Sequence, residues 1–362
     1  MGDRRRSPPR SLRRRLACRS DGVGIVSRKS KTAPPPAWSA TFAEKAEITV
    51  ALYGAQARSP SDLGAWRMWI GAAVEQANGP DVCERARFVD AAGWMNEVLI
   101  LYWRDPLEHR AWLSSAAIVS WWGHDDRVLG PVGIWREIVV VPSARFETIL
   151  SEPAIRIGSG RIAPQVEGPI KTHGYWGSMR DRLPVSRHDA LESDWGEALA
   201  VRASGDGSGR RISVRAPANL ALIRSGQDAS LCSVEEFSEY QRSIRPVLER
   251  GMDYLRDHPL ESGCCACRFM TEVEKDGEPS ERSFGFAWFL TLGDLERWSK
   301  SHPTHLAIYN VFSRYAQAQG ADLQLRLWHE VAVIPAGGAT FDYVNCHDRT
   351  GLLGFFPQTD AS

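Results

Sequence analysis

An internal repeat constrains the fold of this 362-residue chain more than any other feature of its sequence. The segment Val132–Pro142 (VGIWREIVVVP) is echoed by Leu325–Pro335 (LRLWHEVAVIP), and their tryptophans and prolines are both 193 residues apart. Such a repeat predicts two copies of one structural unit. A residue whose chemistry differs between the copies is a candidate for function, and His329 stands where the first copy has Arg136.

Further pairs of segments extend the match between the two copies. They are Leu101–Trp103 with Phe286–Trp288, Trp112 with Trp298, and Phe146–Thr148 with Phe341–Tyr343. When the comparison continues without a gap from Trp298, His305 stands where the first copy has Val119. A second histidine is therefore present in one copy alone.

Hydrophobic periodicity predicts the order strand, helix, strand, helix, strand in each copy. In the first copy the predicted strands are 48–54, 97–103 and 135–141, and the predicted helices are 62–77 and 106–122. In the second copy the strands are 218–224, 283–290 and 323–334, and the helices are 234–258 and 294–317. Asp105 before Pro106 is a strong signal for a helix start, whereas Pro303 is expected to interrupt the last helix.

Few strands separated by long helices indicate an α+β fold, with antiparallel sheets covered by helices on one face. Two ferredoxin-like units with facing sheets and outer helices fit this pattern. We expect three regions: residues 1–37 as a disordered Arg/Pro-rich extension, 38–175 as the first ferredoxin-like half, and 176–362 as the second half, which carries most candidate residues.

The charge of the chain is unevenly distributed along its length. Residues 1–31 contain 11 basic and 2 acidic side chains, a net charge of +9 that the remaining residues balance. A nucleic-acid-binding arm and a transit-like segment both fit this composition. A disordered extension is the interpretation we favour, because the segment lacks an apolar region that could fold or act as a secretory signal.

Two further properties bear on the compartment. No stretch approaches the roughly 20 apolar residues that cross a bilayer, so no membrane span is expected. The seven cysteines show no regular spacing, which favours a reducing, cytoplasmic environment. Cys264–Cys267 resembles a metal knuckle, but it lacks a second ligand pair. We therefore favour buried core cysteines over a zinc site.

Both histidines that differ between the copies have two interpretations. His305 is expected near the start of a helical segment, with Ile308, Phe312 and Tyr315 building an apolar wall beside it. It is either a hydrogen-bonded structural residue or a neutral ligand for iron or copper. His329 lies in a strand whose alternation puts it on an apolar face, so it is either held by hydrogen bonds or retained for proton transfer.

One serine is also a candidate. Ser225 follows the apolar strand predicted at 218–224, and Gly226 follows it, which favours a side chain that points into a pocket. No Gly-x-Ser-x-Gly elbow and no matching set of acid, histidine and serine accompany it, so a serine-hydrolase site is disfavoured.

Several longer motifs resemble those of the haem-containing aldoxime dehydratases, and the match runs from about residue 38 to about residue 357. The motifs are His-Gly-Tyr-Trp-Gly-Ser-Met-Arg-Asp-Arg (173–182), Leu-Ile-Arg-Ser-Gly-Gln-Asp (222–228), Gly-Met-Asp-Tyr-Leu-Arg-Asp (251–257), Ser-His-Pro-Thr-His-Leu (301–306), Trp-His-Glu-Val (328–331) and Tyr-Val-Asn-Cys-His (343–347). The resemblance implies a dimeric α+β barrel of two ferredoxin-like halves. It also implies dehydration of an aldoxime, R–CH=N–OH, to a nitrile, with ferrous haem b holding the oxime nitrogen.

The same resemblance implies roles for individual residues. His305 resembles the axial ligand of the haem iron, Ser225 resembles the serine that hydrogen-bonds the oxime hydroxyl, and His329 resembles the acid–base histidine. Arg182 resembles an arginine of the catalytic side, and Glu147 matches an acidic position expected to contribute to substrate binding. No Cys-x-x-Cys-His motif occurs, so the haem is expected to be bound without a covalent link.

Histidine suits such a reaction, because hydroxide is a poor leaving group and a side chain with a pKa of roughly 6.5 can deliver a proton near neutrality. The expected partners are a small aldoxime and a second copy of the chain, with nucleic acid and membranes not expected. The alternative from another class is a haem-binding sensor or carrier that has the pocket and no turnover. The retention of Ser225 and His329 favours the enzyme.

Overall fold

The computed structural model describes residues 35–197, 199–201 and 207–360. The extension predicted at 1–37 therefore lies outside the described residues as far as residue 34. The strands are β1 Ser39–Thr41, β2 Glu47–Ala57, β3 Val82–Val89, β4 Met95–Trp103, β5 Gly133–Pro142, β6 Phe146–Leu150, β7 Gln165–Glu167, β8 Arg211–Val214, β9 Leu220–Asp228, β10 Cys264–Val273, β11 Pro279–Phe289, β12 Arg326–Ile334, β13 Ala339–Val344 and β14 Gln358–Asp360. The helices are α1 Gly64–Val74, α2 Pro106–Leu113, α3 Ala116–Gly123, α4 Ser178–Arg182, α5 Val234–Glu239, α6 Arg245–Asp257, α7 Pro259–Ser262, α8 Leu292–Ser301 and α9 Pro303–Gln319.

One order of elements occurs twice along the chain. The first set is β2, α1, β3, β4, α2 with α3, and β5; the second is β9, α5 with α6, β10, β11, α8 with α9, and β12. Their strands lie in the orders β5-β2-β4-β3 and β12-β9-β11-β10, and β3 pairs with β10. Twelve strands thus form one antiparallel sheet in a mixed α/β fold.

The sheet curls so that the inner faces of its two halves share one apolar core. Leu52 of β2 and Trp288 of β11 belong to this inner core. Two hydrogen bonds cross it at related positions: the Tyr102 hydroxyl donates to Glu330 at 2.7 Å, and Trp288 Nε1 donates to Glu137 at 2.8 Å. Separate apolar cores lie between the outer face of each half and its helices.

The sequence prediction missed strands β3 and β10. Both contain charged residues that broke the expected apolar pattern, and several of these are buried in ion pairs. Glu84 of β3 accepts from Arg224 at 2.6 Å, and Arg268 of β10 donates to Glu137 at 2.7 Å. Each half therefore contributes four strands to the order above, where three were predicted.

Two predicted helices are each divided, whereas the helix predicted at 234–258 stays helical through Tyr240–Ile244, a π-helical segment that joins α5 to α6. The first ends at Leu113 and restarts at Ala116, after the cap residue Ser115. The Asp105 side chain accepts from the Leu107 amide, which confirms the predicted cap. The second is interrupted before Pro303, as predicted.

The strand register corrects two of the matches between the copies. Gly54 pairs with Trp135 and Gly226 with Trp328, so the two Gly–Trp pairs are equivalent. From these glycines, the pairing of β2 with β4 and of β9 with β11 makes Trp103 the counterpart of Phe289 and not of Trp288. It also makes Phe341 the counterpart of Thr148, two residues from the Phe146 of the sequence match.

Each half is completed by a strand from elsewhere in the chain. Strand β6 follows β5 in sequence, yet it pairs with β12 of the second set. Strand β13 follows β12 and pairs with β5 of the first set.

Among the described residues, no helix is long and apolar enough to span a membrane. Cys264, Cys265 and Cys267 are buried in the apolar cores.

The Gly–Trp pairs yield a test of the packing. A Cβ at Gly226 would lie 2.3 Å from the ring of Trp328, which is 3% exposed. Gly226→Ala is therefore expected to lower the free energy of unfolding by about 1–3 kcal/mol in urea denaturation. In Gly71→Ala the added Cβ meets nothing within 4 Å on helix α1, so this control should be stabilised by up to about 1 kcal/mol. Equal stability of the two variants would contradict the packing.

Candidate active site

A cavity of about 250 Å³ lies between the outer face of the second set of strands and its helices. Four of the predicted site residues line it: Arg182 from α4, Ser225 from β9, His305 from α9 and His329 from β12. These residues are up to 147 positions apart in the chain. Glu147, the fifth predicted residue, lies behind this lining.

The cavity exists because the second half has small residues where the first half has large ones. By strand register, Ser225, Gly285 and Ala287 occupy the positions of Tyr53, Leu99 and Leu101. In the first half Tyr53 packs edge-on against two further rings, with centroids 5.5 Å from Trp112 and 6.0 Å from Trp122. Close packing fills the space between sheet and helices there, whereas the smaller side chains leave it open in the second half.

His305 lies in the first turn of α9, whose start is set by Pro303 and by the side chain of His302 as N-cap. Its ring lies between two indoles, with centroids 4.7 Å from Trp298 and 5.8 Å from Trp176. Its Nδ1 is buried and has no hydrogen-bond partner among the described residues. Burial lowers the pKa of His305 to about 4, so the ring is neutral near pH 7. A neutral imidazole can coordinate a metal ion.

The apolar wall beside His305 differs from the prediction. Of the three predicted residues only Ile308 lines the cavity. Phe312 and Tyr315 belong to a separate apolar cluster with Tyr240. The remaining apolar lining comes from the sheet and from other helices, including Leu255, Phe289 and Trp298.

Ser225 lies within strand β9 and not at its end, because the strand continues to Asp228. Strand alternation directs its side chain to the helix-covered face, next to His329 on the neighbouring strand. Among the described residues its hydroxyl has no hydrogen-bond partner, so it is free to bind a molecule in the cavity.

His329, Arg182 and Glu147 form one hydrogen-bonded group. Arg182 donates to Glu147 through Nε at 2.7 Å and to the Thr172 carbonyl at 2.9 Å. His329 Nε2 lies 3.1 Å from both a guanidinium nitrogen of Arg182 and a carboxylate oxygen of Glu147. It can therefore accept from Arg182 when deprotonated and donate to Glu147 when protonated. Such an arrangement can hold and release a proton.

The surroundings of Glu147 favour its ionised form. Burial by itself raises the pKa of this carboxyl, but the opposing effects of His329 and Arg182 outweigh burial and hold the pKa below its ordinary value. The side chain of Glu147 is 1% exposed. It faces the cavity only through Arg182 and His329.

Gly285 and Ala287 are site residues that the sequence analysis missed. Both lay within the strand predicted at 283–290, but the repeat was matched through Trp288, one residue out of register. A match through Phe289 and Trp103 sets Gly285 against Leu99 and Ala287 against Leu101. This comparison of side-chain size would have pointed to a cavity.

The buried group yields a prediction about stability. Glu147→Gln removes the negative charge beside Arg182, whose side chain is 7% exposed, and is expected to cost roughly 3 kcal/mol of unfolding free energy. Glu97→Gln changes an exposed pair with Arg67 in the same way and should cost less than about 1 kcal/mol. Because the pKa of Glu147 is lower in the folded than in the unfolded state, its stabilisation is complete above about pH 4.5 and is lost as the pH falls through the folded value.

Urea denaturation of the wild type and of both variants between pH 3 and 7 measures this effect. The difference between the wild type and Glu147→Gln should be largest at neutral pH and should narrow in acid. A difference that grows in acid would contradict the assigned ionisation of Glu147.

Comparison with known proteins agrees with the motifs. A model of the haem-containing dehydratase family matches residues 51–352. An aliphatic aldoxime dehydratase from Pseudomonas sp. is 38% identical over 88% of this chain and 91% of its own length. A phenylacetaldoxime dehydratase from Bacillus sp. (strain OxB-1) is 33% identical over 90% and 92%. The crystal structure of an aldoxime dehydratase in complex with butyraldoxime aligns with a TM-score of 0.83 at 35% identity, covering 90% of each chain. The chain belongs to the haem-containing dehydratase family.

Proposed function

We propose that this protein dehydrates aldoximes, R–CH=N–OH, to nitriles and water with the help of a bound haem. One observation carries the proposal: the buried, neutral imidazole of His305 shares a cavity with a serine hydroxyl and a histidine that can transfer a proton. The relatives named as aldoxime dehydratases support the same reaction and suggest an aldoxime as the substrate.

The residues of the cavity fit a haem. His305 would ligate the haem iron, because its ring is neutral and lines the cavity. Leu255, Phe289 and Ile308 would contact the macrocycle with apolar side chains. The iron, when bound in its ferrous form, would hold the oxime nitrogen and supply electron density to the N–O bond. No covalent attachment is expected.

The remaining residues would handle the substrate's hydroxyl and its protons. Ser225 would orient the oxime hydroxyl by a hydrogen bond. His329, protonated on both nitrogens and held at Nε2 by Glu147, would donate its Nδ1 proton to that hydroxyl, which leaves as water. The neutral Nδ1 would then accept the proton from the aldoxime carbon, so that a nitrile forms and His329 regains its charge.

Arg182 and Glu147 would act as positioning residues in this scheme. Glu147 stabilises the imidazolium through its negative charge, and Arg182 orients both carboxylate oxygens with hydrogen bonds of 2.7 and 3.1 Å. Glu147, expected from the sequence to contact substrate, would therefore contribute through its two neighbours.

The architecture is also proposed in its finer detail. The strand orders β5-β2-β4-β3 and β12-β9-β11-β10 with two intervening helical segments support two ferredoxin-like halves, at 38–175 and 176–362. A homodimer and a cytoplasmic location stay predictions.

The haem ligand can be tested by substitution. His305→Ala is expected to lower haem affinity by at least about tenfold, because the iron loses its protein ligand. His302→Ala is the matched control, since His302 caps α9 and stacks on Tyr254 at 4.0 Å outside the cavity lining. It should cost about 1 kcal/mol of stability and keep its haem. Haem per protein, measured by absorbance, distinguishes the two; the opposite pattern would make His302 the ligand.

The proton transfer can be tested in the same way. His329→Gln should retain haem and lose roughly 10²–10⁴-fold in kcat for butyraldoxime under reducing, anaerobic conditions. His258→Gln, at an exposed histidine after α6, should match the wild type. Full activity in His329→Gln would assign the proton to another group. A wild-type protein that binds haem and forms no nitrile would instead favour the sensor or carrier.

A further inference from the structure

A second cavity, of about 900 Å³, adjoins the proposed active site. It lies beside α6, β10 and the segment that follows β13. Two side chains, Met252 and Phe269, line both this cavity and the smaller one. Both are half-buried, as expected of side chains that separate two open spaces. Met252 and Phe269 together are called the partition below.

The contacts of Met252 show what it separates. A Cβ at Gly285 would lie 2.6 Å from Met252 Sδ, so the thioether lies directly on strand β11 at this glycine. Gly285 is the strand partner of Ser225. On its other side Met252 Sδ lies 3.7 Å from the Sγ of Cys267, which lines the larger cavity. The sulfur therefore stands between the neighbour of the proposed substrate-binding serine and the larger cavity.

The chemistry of this partition suits a movable wall. Methionine is unbranched and has three rotatable bonds, so it adapts its shape at little cost. The smaller cavity measures about 250 Å³, so an R group too long for it needs space on the far side of the partition. The lining of the larger cavity includes the apolar side chains of Phe88, Ala266 and Phe355 as well as charged ones such as Asp253 and Arg256.

We propose that Met252 determines substrate specificity, by controlling how far the R group of an aldoxime extends from the active site into the larger cavity. Long linear alkyl groups would pass Met252 and lie against Phe269, whereas short ones would stay on the side of Ser225. This inference rests on the proposed function, since it concerns the R group of the same substrate.

A chain-length series tests the proposal in the holoenzyme. The ratio of kcat/KM for decanal oxime to that for butanal oxime should rise about tenfold or more in Met252→Ala, because each methylene that becomes buried contributes roughly three- to fourfold. The gain should appear in KM, since the end of the R group is remote from the reacting atoms. Met252→Leu, of similar volume, should keep the wild-type ratio.

Met179→Ala is the matched control. Met179 lines the smaller cavity and not the larger one, so its truncation adds similar volume without opening the partition. The ratio of kcat/KM for decanal oxime to that for butanal oxime should stay near the wild-type value in this variant. An equal gain in Met179→Ala would show that volume alone sets the preference and would overturn the proposal.

Binding of the product nitriles separates this proposal from the proposed function, because it needs no turnover. Calorimetric titration of each holoenzyme with butanenitrile and decanenitrile should show the longer nitrile gaining about tenfold in affinity in Met252→Ala alone. If Met252→Ala fails to fold or to retain haem, Phe269→Leu opens the other side of the partition and should shift the ratio in the same direction. Absence of wild-type turnover would refute the proposed function, whereas an unchanged length preference in the partition variants would refute the role of Met252.

Discussion

A buried hydrogen-bonded chain on the inner face of the sheet fixes the two side chains proposed to act on substrate. Arg224 donates to Glu84 at 2.6 Å and to the Tyr102 hydroxyl at 2.8 Å, and Tyr102 donates to Glu330. Arg224 immediately precedes Ser225, and Glu330 immediately follows His329. Because side chains alternate across a strand, holding Arg224 and Glu330 inside sets Ser225 and His329 on the helix-covered face. A shift of either strand by one residue would bury the wrong side chain, at the cost of an unpaired buried charge.

The two halves show what one scaffold does with different side chains at related positions. On the outer face of the first half, Arg136 pairs with Asp342 at 2.7 Å; on that of the second half, His329 contacts Glu147. Arginine stays charged near neutrality, whereas histidine can gain and lose a proton. In the half with the fixed ion pair, aromatic rings fill the space between sheet and helices. In the half with the histidine, part of that space is a cavity. The second half therefore differs from the first in two ways that go together: it contains a cavity, and it has a titratable histidine beside that cavity.

The sequence predicted the elements whose apolar residues are periodic and whose ends carry strong signals. Strands β2, β4 and β11, the Asp105 cap and the break at Pro303 follow from such local patterns. Strands β3 and β10 were not predicted, because Glu84 and Arg268 interrupt their apolar patterns. Both residues are buried in ion pairs with residues of other strands, and a local sequence pattern does not show such partners. The long motifs marked His305, Ser225, His329 and Arg182, and the fold brings these four to one cavity. The cavity itself depended on strand register, which the tryptophan match missed by one residue.

The position of Glu147 makes the second half dependent on the first. Glu147 lies on β6, which follows β5 of the first half in sequence but pairs with β12 beside His329. In the same way, strand β13 follows β12 of the second half but pairs with β5 of the first, where its Asp342 forms an ion pair with Arg136. Each half therefore lacks its acidic partner unless the other half is folded against it. A buried arginine without its carboxylate is costly, so the second half alone would leave Arg182 without its charge partner. The proposed proton-transfer group of His329, Arg182 and Glu147 thus depends on the whole curled sheet, although two of its three residues come from one half.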